Sequence, residues 1–324
     1  MPETVIHGVY LSQTLDLEAL YGAALHAQGA DVVLCRPEEV TDPSAIRFAI
    51  CWLPEDTAFA PYPNLHLAMS IGAGVDALLA HPGLEGQGPR PPVQIARVRD
   101  PHQADLMAGF AAHEVLHHER SFGALAAQAQ ARCWAPLPLR APAASVVAVL
   151  GHGTMGRAVA RAMRALGFRV RVACRSLPET AARIEGVEYC FGPEAMREAA
   201  QEARYLVNVL PLTPATENVL QGALFACLAQ GAYLVQIGRG EHLVEADLLA
   251  ALESGQLAGA TLDVFRTEPL PQDHPFWTHP LLRITPHVAS DSLPDVVAAQ
   301  VVQTARELRD GAALTYLVDR LRGY

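Results

Sequence analysis

Short apolar runs of strand length alternate with helical patterns from the beginning of the chain. In the first hundred residues, strands are predicted at 5–10, 31–34, 48–52 and 65–70, and a helix at Leu17–Gln28. Alternation of strands and helices is typical of a sheet whose strands run parallel, because each crossover passes through a helix. The pattern therefore predicts an α/β fold for this part of the chain.

A long helical pattern at 103–132 follows, and further strand and helix units come after it. Their strands are predicted at 145–150, 169–173, 205–210, 233–237, 260–264 and 282–285. At about 150 residues per domain, a chain of 324 residues favours two domains over one. The pattern indicates parallel α/β structure in both of these domains.

A glycine-rich segment, LGHGTMG at 150–156, directly follows one buried strand and opens a helix. In that context G-x-G-x-x-G is the dinucleotide-binding fingerprint. Gly151 allows the tight turn, Gly153 lets the backbone approach a pyrophosphate, and Gly156 lets helix and strand pack closely. The N–H groups at the helix N-terminus favour phosphate. The predicted contacts in this motif are Gly151, Gly153, Thr154, Met155 and Gly156.

The end of the next strand indicates which nucleotide is bound. NAD-specific sites usually carry a carboxylate there for the ribose hydroxyls. This chain has Arg175 and Ser176 instead, and no carboxylate. A cation and a hydroxyl suit a 2′-phosphate. We therefore expect NADP(H) as the preferred cofactor, with NAD(H) possible; the alternative is that Arg175 stacks on adenine or points to solvent.

Three polar residues, Arg239, Glu268 and His287, stand just past the predicted ends of later strands. Ligands of an open parallel sheet bind outside the carboxyl ends of its strands. Each residue alone is more typical of a turn or a solvated loop. Their occurrence together favours a catalytic site.

The chain resembles the D-isomer-specific 2-hydroxyacid dehydrogenases, specifically their glyoxylate/hydroxypyruvate reductase A branch. The resemblance rests on SIGAGVD, LGHGTMG, VNVLPLTPATENV, GRGEHLVEADLLAAL, LDVFRTEPLP, ITPHVA and the tail VDRLRGY. It implies two Rossmann-like domains with parallel sheets, a dinucleotide-binding domain being inserted into a discontinuous substrate domain. The implied substrate domain is 1–99 with 288–324, and the dinucleotide-binding domain is 100–287.

The resemblance also implies that Arg239, Glu268 and His287 form the catalytic set. Hydride attack on a 2-keto acid places negative charge on the carbonyl oxygen, to which a protonated His287 can donate as general acid. Glu268 would favour the imidazolium and orient its ring. The planar fork of Arg239 can hold the substrate carboxylate.

Further contacts follow from the resemblance. The backbone of Ala73 and Gly74, in the 70–76 loop, would bind the substrate carboxylate together with Arg239 and His287. Trp52 could wall the pocket, although an ordinary core tryptophan is an equal alternative. The remaining cofactor contacts are Leu210, Pro211, Thr216, Ile237, Gly238 and, as a support near the nicotinamide, Asp263.

The chain departs from the family in two places. It reads Gln236-Ile237-Gly238 before Arg239-Gly240, where the family often has Asn and Ala before the catalytic Arg-Gly. A glutamate common at the start of the long helix is replaced by Gly109. Neither change removes a catalytic group, but at these two positions the fine shape of the nicotinamide pocket does not follow from the family pattern.

Composition excludes several other classes of function. All 24 residues counted as Lys plus Arg are arginines, so a Schiff-base lysine and a Walker lysine are both absent. The net charge of -10 argues against nucleic acid as a partner. No apolar run approaches about 20 residues, so we expect no membrane span. The N-terminus lacks a signal-peptide pattern, which favours the cytoplasm.

Neither the six cysteines nor the 13 histidines show metal-ligand spacing, so we expect no metal.

The family is typically a homodimer built through the cofactor domain. The favoured function is an NAD(P)H-dependent reductase that converts small 2-keto acids of the glyoxylate/hydroxypyruvate type to D-2-hydroxy acids. The alternatives are an NAD-linked dehydrogenase of a bulkier 2-hydroxy acid and a dinucleotide-sensing binding protein on the same fold.

Overall fold

The computed structural model describes residues 5–85, 91–321 and 323. The strands are β1 (Ile6–Ser12), β2 (Val32–Cys35), β3 (Ile46–Trp52), β4 (Leu67–Ser70), β5 (Gln94–Arg97), β6 (Val146–Leu150), β7 (Arg169–Cys174), β8 (Val187–Phe191), β9 (Tyr205–Asn208), β10 (Ala232–Gln236), β11 (Leu257–Leu262) and β12 (Leu282–Ile284). The helices are α1 (Leu17–Gln28), α2 (Asp76–Leu79), α3 (Pro101–Glu119), α4 (Phe122–Gln130), α5 (Thr154–Ala165), α6 (Ala195–Ala200), α7 (Gly222–Phe225), α8 (Glu245–Glu253) and α9 (Pro294–Arg309).

The chain divides into two compact units, Met1–His102 with Asp291–Tyr324, and Gln103–Ser290. The first holds a five-stranded sheet in the order β2-β1-β3-β4-β5, and the second a seven-stranded sheet in the order β12-β11-β10-β9-β6-β7-β8. Every strand pair in both sheets is parallel. The predicted α/β fold with two parallel sheets is confirmed. The last residues of the tail motif, Arg322 and Tyr324, lie outside the described part of the chain.

The sheet of the first unit is buried on both faces, as parallel sheets require. Phe48 and Ile50 point to one face and pack with apolar residues of α1 and α9. Ala49 and Cys51 point to the other and pack with residues of the 59–84 segment. This burial explains the continuous apolar run that predicts β3.

The sheet of the second unit is covered in the same way. Val146, Ala148 and Leu150 of β6 belong to an apolar cluster on the face covered by α6, α7 and α8. Val147 and Val149 face α3 and α5. Because both faces are filled by helices, ligands can reach this sheet at its edges and strand ends.

The prediction of a single helix over 103–132 is wrong. α3 ends at Glu119 and α4 begins at Phe122. Ser121 between them has a left-handed backbone with φ 51°, and its N–H donates to the carbonyl of His118 at 3.1 Å. A left-handed residue cannot continue an α-helix, so the chain changes direction there.

No helix among the described residues combines the length and the apolar character needed to cross a membrane. In the same residues, no three His, Cys, Asp or Glu side chains come together as a metal site would require. The six cysteines are free thiols.

Candidate active site

The three residues predicted to be catalytic follow three neighbouring strands of the second unit. Arg239 comes after β10, Glu268 after β11 and His287 after β12. These strands are adjacent and parallel. Their carboxyl ends therefore meet at one edge of the sheet, where α/β proteins bind ligands.

His287 and Glu268 form a hydrogen-bonded pair. Nδ1 of His287 lies 2.8 Å from Oε2 of Glu268, and the two side chains are 30% and 29% exposed. The other carboxylate oxygen, Oε1, accepts the N–H of Phe265 at 2.9 Å. Because the pair uses Nδ1, a proton passed to a substrate would come from Nε2.

The surroundings of Glu268 favour its ionised form. Burial raises the pKa of this carboxyl, but the hydrogen bond and charge of His287, the Phe265 N–H and the charge of Arg239 together lower it below the usual 4.5. Glu268 is therefore a carboxylate at neutral pH. A carboxylate accepts the Nδ1–H of the imidazole and stabilises positive charge on the ring.

A buried carboxylate holds the turn that carries His287. Asp263 is 1% exposed. Its Oδ1 accepts the Thr285 hydroxyl at 2.6 Å and the Val288 N–H at 2.9 Å, and its Oδ2 accepts the Ala289 N–H at 2.9 Å. The N–H of His287 donates to the Asp263 carbonyl at 2.9 Å, although His287 has a left-handed backbone with φ 55°. These bonds fix a conformation that few residues adopt.

Two glycines shape the turn around Arg239. A Cβ on Gly238 would lie 2.7 Å from Nδ2 of Asn208, and a Cβ on Gly240 would lie 1.9 Å from the carbonyl carbon of Phe265. Neither position has room for a side chain. The guanidinium of Arg239 donates to the Gly238 carbonyl at 2.8 Å. The sequence Gly-Arg-Gly is therefore a packing requirement as well as a motif.

The glycine-rich turn after β6 fits a dinucleotide pyrophosphate. Gly151 has φ 109°, and a Cβ on Gly156 would lie 2.0 Å from the Gly151 carbonyl oxygen. A Cβ on Gly153 would meet nothing within 4 Å, so this position opens onto space that a ligand can enter. Gly153 is the N-cap residue of α5 and has no side chain that could cap the helix. Thr154 and Met155 follow in the first turn. Such a helix end attracts phosphate.

The other residues predicted to contact the cofactor lie around the same sheet. Arg175 and Ser176 are exposed directly after β7. Leu210 comes within 3.6 Å of a Cβ placed on Gly151. The Thr216 hydroxyl donates to the Pro211 carbonyl at 2.7 Å, so it closes its own turn. Ile237, just past β10, is buried in the core.

The residues predicted to contact substrate in the first unit lie at the ends of β3 and β4. Trp52 closes β3 and packs, partly buried, against the core of that unit. After β4, the Ser70 hydroxyl donates to the Gly74 carbonyl at 2.7 Å, and Arg97 donates to the Ala73 carbonyl at 3.0 Å. The backbone of this loop is therefore fixed from within.

Three buried polar side chains beneath the Arg239 turn are absent from the predicted site. Asn208, Gln236 and His242 are fully buried, and Asn208 is hydrogen-bonded to both of the others. Two of them were marked in the sequence by their position, since Asn208 and Gln236 are the polar last residues of the apolar strands β9 and β10.

A parallel sheet with a pyrophosphate-fitting glycine turn and an imidazole–carboxylate pair beside an arginine indicates a dinucleotide-dependent dehydrogenase. Residues 112–289 match the family model described as D-isomer specific 2-hydroxyacid dehydrogenase, NAD binding domain. The chain belongs to the D-isomer-specific 2-hydroxyacid dehydrogenase family.

Relatives narrow the resemblance to one branch of that family. The chain is 41% identical over 281 residues to a glyoxylate/hydroxypyruvate reductase A from Serratia proteamaculans, covering 86% of this chain and 87% of that protein. It is similar to the NADPH-dependent glyoxylate/hydroxypyruvate reductase from Sinorhizobium meliloti solved with NADP and sulfate, with TM-score 0.88, 31% identity and coverage of 98% and 100%. A Xanthobacter autotrophicus family member solved with NADPH and MES gives TM-score 0.87 and 35% identity, covering 99% and 100%. The branch predicted from the motifs is confirmed.

Proposed function

We propose that this protein is an NADPH-preferring reductase of small 2-keto acids of the glyoxylate/hydroxypyruvate type, which forms D-2-hydroxy acids. One observation carries the proposal: the His287–Glu268 pair lies beside Arg239 at the carboxyl edge of the sheet that also bears the glycine-rich turn. The names of the relatives point to the same reaction.

The three side chains divide the chemistry of carbonyl reduction between them. Arg239 binds the substrate carboxylate with two parallel hydrogen bonds and draws electron density from the adjacent carbonyl. His287 donates a proton from Nε2 to the carbonyl oxygen as negative charge develops there. Glu268 holds the ring through Nδ1 and stabilises its charged form. A bound reduced nicotinamide supplies the hydride.

The second unit provides the nucleotide site in this proposal, and the dinucleotide-binding domain that we propose, 100–287, covers nearly the same residues as this unit, Gln103–Ser290. The pyrophosphate is held at Gly151, Gly153 and Gly156, with the N–H groups of Thr154 and Met155. Asp263 contributes by holding the His287 turn. The remaining cofactor contacts that we propose are Arg175, Ser176, Leu210, Pro211, Thr216, Ile237 and Gly238.

The substrate domain that we propose is 1–99 with 288–324, and it carries the substrate loop at 70–76. Its carboxylate contacts are the backbone N–H groups of Ala73 and Gly74. Trp52 supports the loop, because a Cβ placed on Gly72 would lie only 3.2 Å from the Trp52 ring. We propose that the ring limits the substrate to small side chains.

A panel of 2-keto acids tests the function directly. We expect purified protein to oxidise NADPH, followed at 340 nm, with glyoxylate or hydroxypyruvate, and to act more slowly as the 2-keto acid becomes bulkier. A preference for a bulky substrate with NADH would favour the NAD-linked alternative. Nucleotide binding without turnover of any 2-keto acid would favour a dinucleotide sensor.

Arg175 is expected to set the preference for NADPH. Removing a charge-assisted contact with the 2′-phosphate loses about 1.5–3 kcal/mol, so Arg175→Ala should weaken NADPH binding by about tenfold or more and leave NADH binding nearly unchanged. The measurement is fluorescence titration with both nucleotides. Arg169→Ala is the matched control, because Arg169 is also exposed but stands at the other end of β7. Retained discrimination in Arg175→Ala would refute this assignment.

We further propose that the protein is a cytoplasmic homodimer joined through the second unit. Apolar side chains stand out on α4 and the segment after it: Trp134 is 101% exposed, Leu139 75% and Phe122 45%. Exposed apolar patches of this kind mark interaction surfaces, and a second copy is the occupant that we propose. The six free thiols suit a reducing compartment.

Light scattering should give twice the mass of one chain, and Trp134→Ser should shift the protein toward the monomer. Trp277→Ser is the control, because this half-exposed tryptophan of the same unit lies away from α4 in sequence and donates to the Pro271 carbonyl. A monomeric wild type would contradict the proposal.

A further inference from the structure

The polar side chains beneath the Arg239 turn form a closed hydrogen-bonded network. Asn208, Gln236 and His242 each have 0% exposure. The amide nitrogen of Asn208 donates to Oε1 of Gln236 at 2.7 Å and to Nδ1 of His242 at 2.9 Å. Both donors of this amide are therefore used inside the protein, as buried polar groups require.

The same network binds the backbone of the turn. Nε2 of Gln236 donates to the Arg239 carbonyl at 2.7 Å, and the Arg239 N–H donates to Nδ1 of His242 at 3.1 Å. The Gly238 N–H donates to Oε1 of Gln236 at 3.2 Å. The backbone N–H and carbonyl of Arg239 are therefore both hydrogen-bonded to buried side chains.

The contacts also define the state of the His242 ring. Two N–H groups point at Nδ1, so this nitrogen carries the lone pair. Nε2 then carries the proton and donates to the Pro211 carbonyl at 3.3 Å. Asn208 completes the connection, since its Oδ1 accepts the Leu210 N–H at 3.3 Å. The network therefore ties the Arg239 turn to the segment after β9.

We propose that Asn208, Gln236 and His242 are positioning residues that hold the Arg239 backbone for two-pronged binding of the substrate carboxylate. The inference rests on the proposed reductase function. Arginine has a long side chain, and fixing its backbone removes part of the freedom that would otherwise misplace the guanidinium. Misplacement by about 1 Å can cost about 10²-fold in rate.

Gln236→Met tests the proposal, because methionine has similar length but cannot donate to Arg239 or accept from Gly238. We expect the KM for glyoxylate to rise about tenfold or more, and the NADPH Kd to change by a smaller factor, since the Gly238 N–H of the proposed cofactor site also loses its partner. Oxamate, an unreactive 2-keto acid analogue, should lose affinity for the NADPH-loaded protein by a similar factor in calorimetry. Ser145→Ala is the control, because Ser145 is 1% exposed and lies at the opposite end of the sheet. It should lower only the Tm.

Unchanged oxamate affinity and KM in Gln236→Met would overturn the inference. If Gln236→Met does not fold, His242→Asn and His242→Leu replace it: asparagine can still accept the Arg239 N–H, so it should keep oxamate affinity better than leucine does. Equal affinities for the two variants would also overturn it. A wild type that neither reduces glyoxylate nor binds oxamate would instead refute the proposed function, and the inference with it.

Discussion

Replacing His287 by asparagine should lower kcat for 2-keto acid reduction by about 10²–10⁴-fold, the range that a positioned general acid contributes. Asparagine is the suitable replacement because His287 has φ 55°, a left-handed conformation that asparagine tolerates better than alanine does. Its amide N–H can still donate a hydrogen bond to Glu268, but it is too weak an acid to transfer a proton to the substrate. The change therefore removes acid–base chemistry and keeps the shape of the turn.

Steady-state kinetics with glyoxylate and a fluorescence titration with NADPH would separate chemistry from binding. We expect the NADPH Kd to stay near that of the wild type, because the nucleotide turn after β6 is unchanged. His26→Asn is the control, an exposed histidine on α1 in the other unit. A kcat reduced less than about tenfold would mean that another group supplies the proton.

The interior strands could be predicted because burial on both faces imposes continuous apolar runs. All five residues of β6 are buried. The edge strands β5 and β8 were not predicted, and their sequences show why. β5 buries two of its four residues and β8 only one of its five. Polar residues interrupt the apolar pattern of both strands, at Gln94 and Arg97 in β5 and at Glu188 in β8, whereas the equally little-buried edge strand β2 reads Val-Val-Leu-Cys and was predicted.

The error at α4 has a related cause. Apolar residues such as Phe122 and Leu125 continue the periodicity of α3, but in the structure no residue of α4 is buried. Periodicity reports that a helix has an apolar face, not what covers that face. The sequence alone could not separate a longer core helix from a second helix with an exposed apolar face.

Catalytic candidates could be located because a general rule puts ligands at the carboxyl ends of parallel strands. The groups that hold them follow no such rule. Asn208 bonds to side chains 28 and 34 residues away in sequence. Asp263 bonds to a turn more than 20 residues further on. Such pairings depend on strand order and register, which the spacing of residues along the chain does not specify.

Replacing Glu268 by glutamine should lower kcat/KM for 2-keto acid reduction at neutral pH. His287 transfers a proton from Nε2 in the proposed reaction, and the Glu268 carboxylate holds its ring through Nδ1 at 2.8 Å. A hydrogen bond to a charged group contributes about 1.5–3 kcal/mol, which corresponds to a change in rate of about 10- to 10²-fold. Glutamine keeps the size of the side chain and an oxygen that accepts the Nδ1–H, so the loss is one of charge.

The pKa of Glu268 determines the pH range in which the Tm of the wild type and the Tm of Glu268→Gln should become equal. Because the pKa is lower in the folded protein than the usual 4.5, the carboxylate stabilises the fold above that pH. This stabilisation is lost as the pH falls through the lowered value. The difference in Tm between wild type and Glu268→Gln should therefore be full near neutral pH and shrink in acid.

Profiles of kcat/KM and of Tm against pH would measure both effects. Glu253→Gln is the matched control, because Glu253 is an exposed glutamate at the end of α8 in the same unit. Its profiles should coincide with those of the wild type. If the Glu268→Gln rates also coincided with those of the wild type, the charge of Glu268 would play no part in catalysis. A Tm difference that persisted unchanged in acid would show that the two proteins differ in packing, since a charge effect must disappear once the carboxylate is protonated.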